Sequence, residues 1–355
     1  MTINFICSVV PNVPMGGMKI IYDYANALSI NNNVFITYVA YLPSVDKSPY
    51  RFFKSIIKYF YARFVRQPNG CKWFPLSSNV KELFVWCKLP KFTDRNCKYI
   101  STVSSTASLV EKLEVDAINK FYFIQGYETF VMPEFKLMQT YRYNMNKIVI
   151  SEWLRNLIFS KTGENSIIVQ NGFDSQQFYM SIPCENKNKY KISVLYHINK
   201  KKGFDTAMKA LSIVKLMEPK IEVELFGVYE SPVNLPNWVH YHKNPTAEEH
   251  LKINNECAIY LGTSEEEGWG LTIGEAMMCG QAVVCTDNSG YLEMASNNYN
   301  SLVSSVGDYK KLANDILILI NDDNLRYQIS VNGLKSIQSF RKDDSIVKFT
   351  KAISN

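Results

Sequence analysis

Two glutamates eight positions apart carry the strongest chemical signal in the sequence. Glu267 and Glu275 bracket Gly268-Trp269-Gly270-Leu271, in a stretch too acidic and too rich in glycine to begin as core. A carboxylate can accept two hydrogen bonds from the vicinal diol of a sugar or ribose. Amides of a glycine-bearing loop and of a helix N-terminus hold phosphate. The spacing therefore favours a ligand with a ribose, a diphosphate and a second sugar, whereas two solvated glutamates would leave the glycines unexplained.

Three consecutive lysines form a second candidate. Lys200, Lys201 and Lys202 follow a strand predicted at Ile192–Ile198 and precede Gly203 and a helical pattern. Ligands of open parallel sheets bind beyond the carboxyl ends of the strands, so a lysine at this place can contact a phosphate. A solvated run of lysines is the alternative, and these residues alone leave both interpretations open.

A glycine pair near the N-terminus is a third candidate. Gly16 and Gly17 follow the first predicted strand and precede a helix, and a backbone without Cβ atoms can approach a ligand closely. A plain tight turn explains the pair equally well. The pattern is not G-x-G-x-x-G, so the dinucleotide-binding fingerprint is absent at this place.

The elements that must position these residues alternate between strand-like and helix-like patterns, which is typical of parallel sheets flanked by helices. The first series opens with a strand at Ile3–Val10, and a second series starts after a polar, irregular stretch at 171–191. We therefore predict an α/β protein with two units of similar size that join near residue 171.

The glutamate-bearing stretch itself is predicted to run from loop to helix to strand. Ser264 to Gly270 is the loop, Ala276 to Cys279 has helical composition, and Gly280 stands where a helix stops. Residues 282–285 then form a short buried strand. This order places both carboxylates around one helix N-terminus.

Composition excludes several other classes of protein. The chain has 355 residues, 46% of them apolar and 20% charged, which fits two folded domains. The net charge of +6 is too mild to indicate nucleic-acid binding. Eight cysteines without a C-x-x-C pair and four scattered histidines predict buried reduced thiols and no metal site. No signal peptide and no apolar run of ~20 residues is evident, so we predict no membrane-spanning helix.

Residues 50–66 form a basic segment with interleaved aromatic residues. On a helical wheel one side is apolar, with Phe52, Phe53, Ile56, Phe60 and Phe64, and the other is basic, with Arg51, Lys54, Lys58 and Arg66. The favoured interpretation is an amphipathic helix whose aromatic side chains pack into the core. The alternative is a surface helix that contacts anionic lipid or a lipid-linked acceptor.

Together these motifs resemble those of the group 1 glycosyltransferase family, which are retaining enzymes with the GT-B fold. The stretch from Glu267 to Val284 is similar to the family signature E-G-F-G-L-x-x-x-E-A-M-A-x-G-x-P-V-V. Other similar stretches are Asn171-Gly172-Phe173-Asp174 with Phe178, Gly16-Gly17 with Tyr24-Ala25-Asn26 and Leu28, Lys202-Gly203-Phe204-Asp205, and residues 300–303 and 308–313. The resemblance implies two Rossmann-like α/β/α domains that face a central cleft.

The resemblance also implies the domain boundaries and which substrate each domain binds. Residues 1–170 would form the N-terminal domain on the acceptor side. Residues 171–335 would form the C-terminal domain on the side of the nucleotide-sugar donor. Residues 336–355 would form a C-terminal helix that returns to the N-terminal domain.

Donor-site roles follow from the resemblance position by position. Glu275 would bind the ribose hydroxyls of the nucleotide, and Glu267 would meet hydroxyls of the transferred sugar. Lys202 would hold the diphosphate. The backbone amides that would share this task belong to Gly268, Trp269, Gly270, Leu271 and Thr272.

Four further positions complete the implied site, and two of them depart from the family pattern. Gly16 and Gly17 would let the first loop approach the phosphate or the acceptor. His197 stands where the family usually has an arginine, so the diphosphate must rely on the nearby lysines or on a protonated His197. Gln125 stands where many relatives have a histidine, and it would face the acceptor.

The implied activity is transfer of a sugar, with retention, from a nucleotide-diphosphate sugar to a glycan or lipid-linked acceptor in surface polysaccharide biosynthesis. The donor is a substrate and no other cofactor is expected. No D-x-D occurs in the sequence, so we expect a metal-independent enzyme. A nucleotide-sugar binding protein with little transfer activity and a GT-B sugar-nucleotide epimerase are the alternatives. We expect a cytoplasmic protein, with the inner face of the membrane as the place of any lipid contact.

Overall fold

The computed structural model describes residues 1–8, 11–43, 48–61, 63–64 and 71–354. They form two compact units, Met1–Gln170 with Asp343–Asn355, and Asn171–Lys342. Each unit is built on one parallel sheet whose strands alternate with helices along the chain.

The first unit contains seven described strands. They are β1 (Thr2–Cys7), β2 (Asn33–Val39), β3 (Val80–Val85), β4 (Lys98–Ser101), β5 (Lys120–Ile124), β6 (Asn146–Val149) and β7 (Ile167–Ile168). Its helices up to residue 170 are α1 (Gly16–Leu28), α2 (Pro49–Tyr61), α3 (Ser104–Glu111), α4 (Glu134–Tyr141) and α5 (Glu152–Thr162).

The second unit contains six strands, and one more helix follows it. The strands are β8 (Asn188–Leu195), β9 (Glu222–Gly227), β10 (Val239–Lys243), β11 (Cys257–Gly262), β12 (Ala282–Thr286) and β13 (Ser301–Ser304). The helices are α6 (Phe204–Met217), α7 (Ala247–Glu256), α8 (Leu271–Met278), α9 (Tyr309–Asn321), α10 (Asp323–Ile337) and then α11 (Lys342–Ser354).

Both sheets have the same topology. The strand order is β3-β2-β1-β4-β5-β6-β7 in the first and β10-β9-β8-β11-β12-β13 in the second. In each sheet the chain builds outward from its first strand in one direction and then returns to that strand's other side. The order therefore reverses between β1 and β4 and between β8 and β11, which are the positions where α/β sheets bind ligands.

Burial on both faces explains why the central strands are continuously apolar. All residues of β5 are buried, as are all residues of β11 and β12. Strands of this kind need helices on their faces, which the alternating sequence supplies. The final helix α11 packs with the first unit, where the Phe349 ring stacks on Tyr24 with centroids 4.2 Å apart.

The structure changes two of the sequence-based predictions in the first unit. The first strand is shorter than Ile3–Val10, because β1 ends at Cys7 and residues 9 and 10 lie outside the described part. The prediction that the aromatic side chains of 50–66 pack into the core is wrong, because Phe53, Phe60 and Phe64 are exposed. Residues 62, 65 and 66 lie outside the described part.

Candidate active site

Two of the predicted donor-site side chains meet at the switch point of the second sheet. Lys202 lies in the turn after β8, and Glu267 lies in the loop after β11, the strand that pairs with β8. The Lys202 Nζ donates to Glu267 Oε1 at 2.7 Å. A cation and a carboxylate, both largely withdrawn from solvent, therefore stand together beyond the carboxyl ends of adjacent strands.

Gly203 explains how these two turns come so close. Its backbone is left-handed, with φ of 73°, and an added Cβ would lie 1.9 Å from the carbonyl oxygen of Thr263. Only glycine tolerates both the dihedral angle and the contact. The glycine after the lysines is thus what allows Lys202 to reach Glu267.

A relay of hydroxyl groups orients the Glu267 carboxylate. Tyr291, which follows β12, donates its phenol proton to Ser264 Oγ at 3.1 Å. Ser264 Oγ in turn donates to Glu267 Oε1 at 2.8 Å. Ser264 and Tyr291 are both buried, so they hold Glu267 Oε1 from the interior of the unit. Among the described residues, no hydrogen bond to Glu267 Oε2 is seen, so this oxygen can accept from a ligand.

The same tyrosine shapes the start of α8. Gly270 is the N-cap residue with φ of 104°, and a Cβ there would lie 2.6 Å from the Tyr291 ring. Because glycine has no capping side chain, the first-turn amides of α8, at Leu271 and Thr272, keep their donors for a ligand. The helix therefore starts at Leu271, five residues earlier than its predicted core, and stops at Gly280 as predicted.

Glu275 is the fifth residue of α8 and is 8% exposed. Burial raises the pKa of the Tyr260 phenol in β11, and the charges of Glu267 and Glu275 both add to that rise. Both carboxylates thus lie within electrostatic reach of one phenol, as the spacing of the two glutamates predicts.

Trp269 contributes to the site differently from its neighbours. Its side chain is buried, and its ring packs edge-on against Phe340 with centroids 5.3 Å apart. Only the backbone amide of Trp269 is therefore left to face a ligand. The prediction that Trp269 contributes to the donor site therefore concerns its backbone amide alone.

The other two lysines are more exposed than Lys202. Lys201 Nζ donates to Glu266 Oε2 at 2.7 Å, parallel to the Lys202–Glu267 pair, and Lys200 lies at the surface. Lysines and glutamates thus form two successive cross-loop pairs, and only the second pair is largely buried.

His197 is held as a neutral imidazole. Its Nδ1 accepts the amide proton of Asn199 at 2.9 Å, which leaves Nε2 to donate to the Tyr229 hydroxyl at 3.1 Å. Burial and the nearby Lys202 charge lower the pKa of His197, although Glu267 opposes them. Of the two replacements for the usual arginine that the sequence left open, these contacts favour the nearby lysines over a protonated His197.

Glycines also fix the segment that opens the second unit. A Cβ on Gly274 of α8 would lie 2.0 Å from the Phe173 ring, and a Cβ on Gly172 would lie 2.3 Å from the backbone of Arg341. Lys342 Nζ pairs with Asp174 Oδ2 at 3.1 Å. The Asn171–Asp174 stretch therefore packs tightly against the backbone of α8 at Gly274 and supports the helix there.

Residues 175–336 match the family model described as Glycosyl transferases group 1. The matched range fills nearly all of the second unit, and it contains the Lys202–Glu267 pair and α8. The second unit belongs to the group 1 glycosyltransferase family.

Curated relatives match parts of the chain. A capsular polysaccharide biosynthesis glycosyltransferase, CapM, of Staphylococcus aureus is 23% identical over 54% of this chain and 56% of its own. An N,N'-diacetylbacillosaminyl-diphospho-undecaprenol alpha-1,3-N-acetylgalactosaminyltransferase of Campylobacter jejuni is 29% identical over 27% of this chain and 25% of its own. The chain thus spans about a quarter to just over half the length of these relatives.

A solved structure matches the whole chain. Anabaena HepE, determined in complex with UDP and glucose, superposes with a TM-score of 0.74 at 15% identity and covers 100% of both chains. At this identity the likeness shows the fold alone. The fold is GT-B, as predicted, with two Rossmann-like units.

The first unit brings together another pair of predicted residues. Gln125, directly after β5, donates through Nε2 to the Gly17 carbonyl oxygen at 3.2 Å. A Cβ on Gly17 would meet the Gln125 amide at 3.5 Å, an ordinary contact. Gly16 and Gly17 form the first turn of α1, and its N-cap Met15 supplies no side-chain hydrogen bond.

Several residues that build the candidate site gave no signal in the sequence. Ser264, Tyr291, Asn199 and Tyr229 act through hydrogen bonds to the predicted residues, and Tyr291 comes from a different strand end. Gly290 precedes Tyr291, and any larger residue at this position would clash with Glu267. This glycine comes closest to a sequence signal for these contacts. Within the described ranges no group of three or more His, Cys, Asp or Glu side chains is placed to hold a metal ion.

Proposed function

We propose that the protein is a retaining glycosyltransferase that moves a sugar from a nucleotide-diphosphate sugar to a glycan or lipid-linked acceptor. The observation that carries the proposal is the half-buried Lys202–Glu267 pair at the switch point of the second sheet, beside the uncapped start of α8. These groups match the charges of a sugar diphosphate and the hydroxyls of a sugar.

The reaction needs stabilisation of the leaving group. Cleavage of the bond between sugar and phosphate develops negative charge on the departing diphosphate, and fixed cations and amides aimed at that charge lower the barrier. Lys202 and the first-turn amides of α8 supply such donors. Since Lys202 is paired with Glu267 at 2.7 Å, the diphosphate takes over or shares this lysine when the donor binds.

Release of the pair gives Glu267 its own task. The carboxylate oxygen that loses Lys202 still accepts from Ser264, and the other oxygen accepts sugar hydroxyls. Glu275, further along α8, would accept from the ribose hydroxyls. Retention follows front-face attack assisted by the leaving phosphate, so no side chain is assigned as a nucleophile.

Metal independence is part of the proposal. The lysine and the helix amides meet the diphosphate charge that a divalent cation meets in other transferases. His197 adds no charge at neutral pH, so Lys202 carries this task. Names of the relatives support the acceptor class, since one is a capsular polysaccharide enzyme and another is named for a diphospho-undecaprenol substrate.

The test is incubation of the full chain with radiolabelled nucleotide sugars and undecaprenyl-diphosphate-linked sugars, with and without EDTA. We expect free nucleoside diphosphate together with a labelled lipid-linked product, equally with and without chelator. An epimerised donor would identify an epimerase, and donor binding without turnover would identify a binding protein. Loss of activity in EDTA that Mn²⁺ restores would overturn the metal-free scheme.

A further inference from the structure

The helix α2 presents a continuous apolar stripe to solvent. Positions 50, 53, 57 and 60 of α2 recur at intervals of three and four residues, which places them on one side of the helix, and Tyr61 is its last residue. Phe64 follows the end of α2, and its ring stacks on Phe60 with centroids 5.9 Å apart. We call these six large side chains the outer face. They are Tyr50, Phe53, Ile57, Phe60, Tyr61 and Phe64, with exposed fractions of 71%, 64%, 70%, 53%, 57% and 69%.

The opposite side of α2 is the side that holds it to the protein. The Phe52 ring meets Tyr41 and Trp86, each with centroids 5.4 Å away. Trp86 Nε1 donates to Ser55 Oγ at 3.1 Å, and Ser55 is the buried residue of the helix. The outer face is therefore left over after the helix has docked, and its exposure does not result from a missing inner contact.

Charge is concentrated on the same segment. Residues 47–81 hold eight of the 39 lysines and arginines and none of the 33 acidic residues, so the rest of the chain sums to −2 of the net +6. Within the described part, Arg51, Lys54 and Lys58 flank the outer face on one side, and Arg63 flanks it on the other. All four are exposed.

We propose that the outer face of α2 docks on the surface of an anionic lipid bilayer. Aromatic and aliphatic side chains in one stripe, rimmed by basic residues, have the composition of helices that lie in the membrane interface. Phe, Tyr and Ile enter the boundary between headgroups and acyl chains, while the lysines and arginines remain at the level of the phosphates. No described helix is long and apolar enough to span a membrane, so docking is peripheral.

A second copy of the chain fits this surface less well than lipid does. In a two-fold dimer the same patch faces itself, so a basic rim would meet an equally basic rim. Like charges brought together in this way oppose association. Anionic headgroups offer the opposite charge and an apolar layer at the same place.

Binding of the full chain to vesicles tests the proposal without any need for transferase activity, and thus separately from the proposed function. The probes are phosphatidylcholine vesicles with and without 30% phosphatidylglycerol, examined by co-sedimentation. We expect binding to the anionic vesicles and at least tenfold weaker binding to the neutral ones. Salt should weaken it, because headgroup attraction is screened.

Two variants separate the apolar and the basic contributions. Phe53→Ser/Ile57→Ser/Phe60→Ser removes apolar side chains and should abolish sedimentation with the vesicles. Lys54→Gln/Lys58→Gln/Arg63→Gln removes three charges, and at about fivefold per charge should weaken binding by about a hundredfold. All six positions are exposed, so both variants are expected to fold, and their melting temperatures check this.

Matched controls remove similar groups elsewhere. Leu216→Ser/Met217→Ser/Val233→Ser deletes exposed apolar side chains of the second unit, and Lys310→Gln/Lys335→Gln/Lys348→Gln deletes exposed charges. Both controls should bind vesicles like the wild type. Absence of vesicle binding, or equal loss in variants and controls, would overturn the proposal. So would a wild-type dimer that the serine variant of α2 converts to a monomer, since a second copy would then cover the face.

Discussion

The two sheets share one strand order, yet the chemistry at their switch points differs. In the second unit, Lys202 and Glu267 form a half-buried ion pair at the reversal between β8 and β11. In the first unit, Gly17 follows β1 and Gln125 follows β5, the strand next to β4, and a neutral hydrogen bond joins the two residues. Topology therefore supplies the position of a site, while the turns after the strands decide which ligand it suits. A fixed cation suits a diphosphate, and a neutral amide suits a hydroxyl-bearing acceptor.

The two units also differ in the buried titratable groups that lie outside the candidate site. The first unit buries Glu128, whose carboxylate accepts the Ser104 amide proton at 2.6 Å at the start of α3. The second unit packs His250, whose Nε2 is buried, between the rings of Phe178 and Phe226. An acid and a base, each kept neutral by burial, give the two units opposite dependences of stability on pH.

The largest effect is expected from removing the Lys202 charge beyond the carboxyl ends of β8 and β11. Lys202→Ala should reduce turnover by ~100-fold or more, because one preorganised donor to the leaving diphosphate is lost. Lys201→Ala, which removes an exposed lysine paired with Glu266, is the matched control and should change turnover less than about threefold. Steady-state rates of nucleoside diphosphate release measure both. Equal losses in the two variants would show that general basicity matters rather than the buried pair.

The pH dependence of the first unit tests the role of Glu128. Burial raises the pKa of Glu128 from 4.5 to about 7, so the folded state keeps a proton that the unfolded state releases above 4.5. The stability of this unit is therefore lost as pH rises from about 4.5 to 7, by up to ~3 kcal/mol. Glu128→Gln keeps the acceptor for the Ser104 amide and should remove this slope. Hydrogen exchange of α3 and β5 at several pH values, corrected for intrinsic rates, provides the measurement; an unchanged slope in the variant contradicts the assignment.

The second unit should respond to pH with the opposite sign. Burial lowers the pKa of His250 from 6.5 to about 4, and its Nε2 finds no hydrogen-bond partner in the described part of the chain. The unfolded state gains a proton below about 6.5 that the folded state refuses, so stability falls by up to ~3 kcal/mol as pH drops to about 4. His250→Phe should flatten this acid limb in hydrogen exchange of α7 and β9. A limb that persists in the variant would assign it to another group.

Glycine substitutions give the smallest of these effects. They compare the loop before α8 in the second unit with the start of α1 in the first unit. Gly270→Ala requires a left-handed alanine and a Cβ 2.6 Å from the Tyr291 ring, so we expect a loss of about 1–3 kcal/mol of stability. Gly17→Ala meets Gln125 at an ordinary 3.5 Å and should cost less than about 0.5 kcal/mol. Urea denaturation of both variants measures the difference. If Gly17→Ala lowers activity at unchanged stability, the first loop approaches a ligand as the sequence predicted; if Gly17→Ala destabilises as much as Gly270→Ala, the contrast fails.

Local patterns allowed much of this architecture to be predicted from the sequence. The apolar run at 282–285 predicted β12 to within one residue, and the alternation of strand-like and helix-like patterns predicted the parallel sheets flanked by helices. The Glu267–Glu275 spacing likewise located the loop, the helix and the stop at Gly280. Each of these depends on residues close together in sequence.

Features that depend on distant partners escaped prediction. Tyr291 reaches Ser264 from 27 positions away, and the neutral state of His197 depends on Tyr229, 32 positions away. Helical spacing in 50–66 predicted an amphipathic helix, but only the position of Trp86 and Tyr41 decides which side faces inward. Burial and pKa follow from such packing, so they become visible only in the folded structure.

The central claim is that the site beyond β8 and β11 in the second unit, with Lys202, Glu267 and Glu275, holds the donor. Calorimetric titration with a panel of nucleoside diphosphates (UDP, GDP, ADP and CDP) tests this claim most directly. We predict that one of them binds the wild type and that Glu275→Gln weakens it by about 1.5–3 kcal/mol, since a charge-assisted bond to ribose is lost. Glu266→Gln, at an exposed pair on the same loop, should leave the affinity unchanged. No binding of any member of the panel, or equal binding by wild type and Glu275→Gln, would contradict the account.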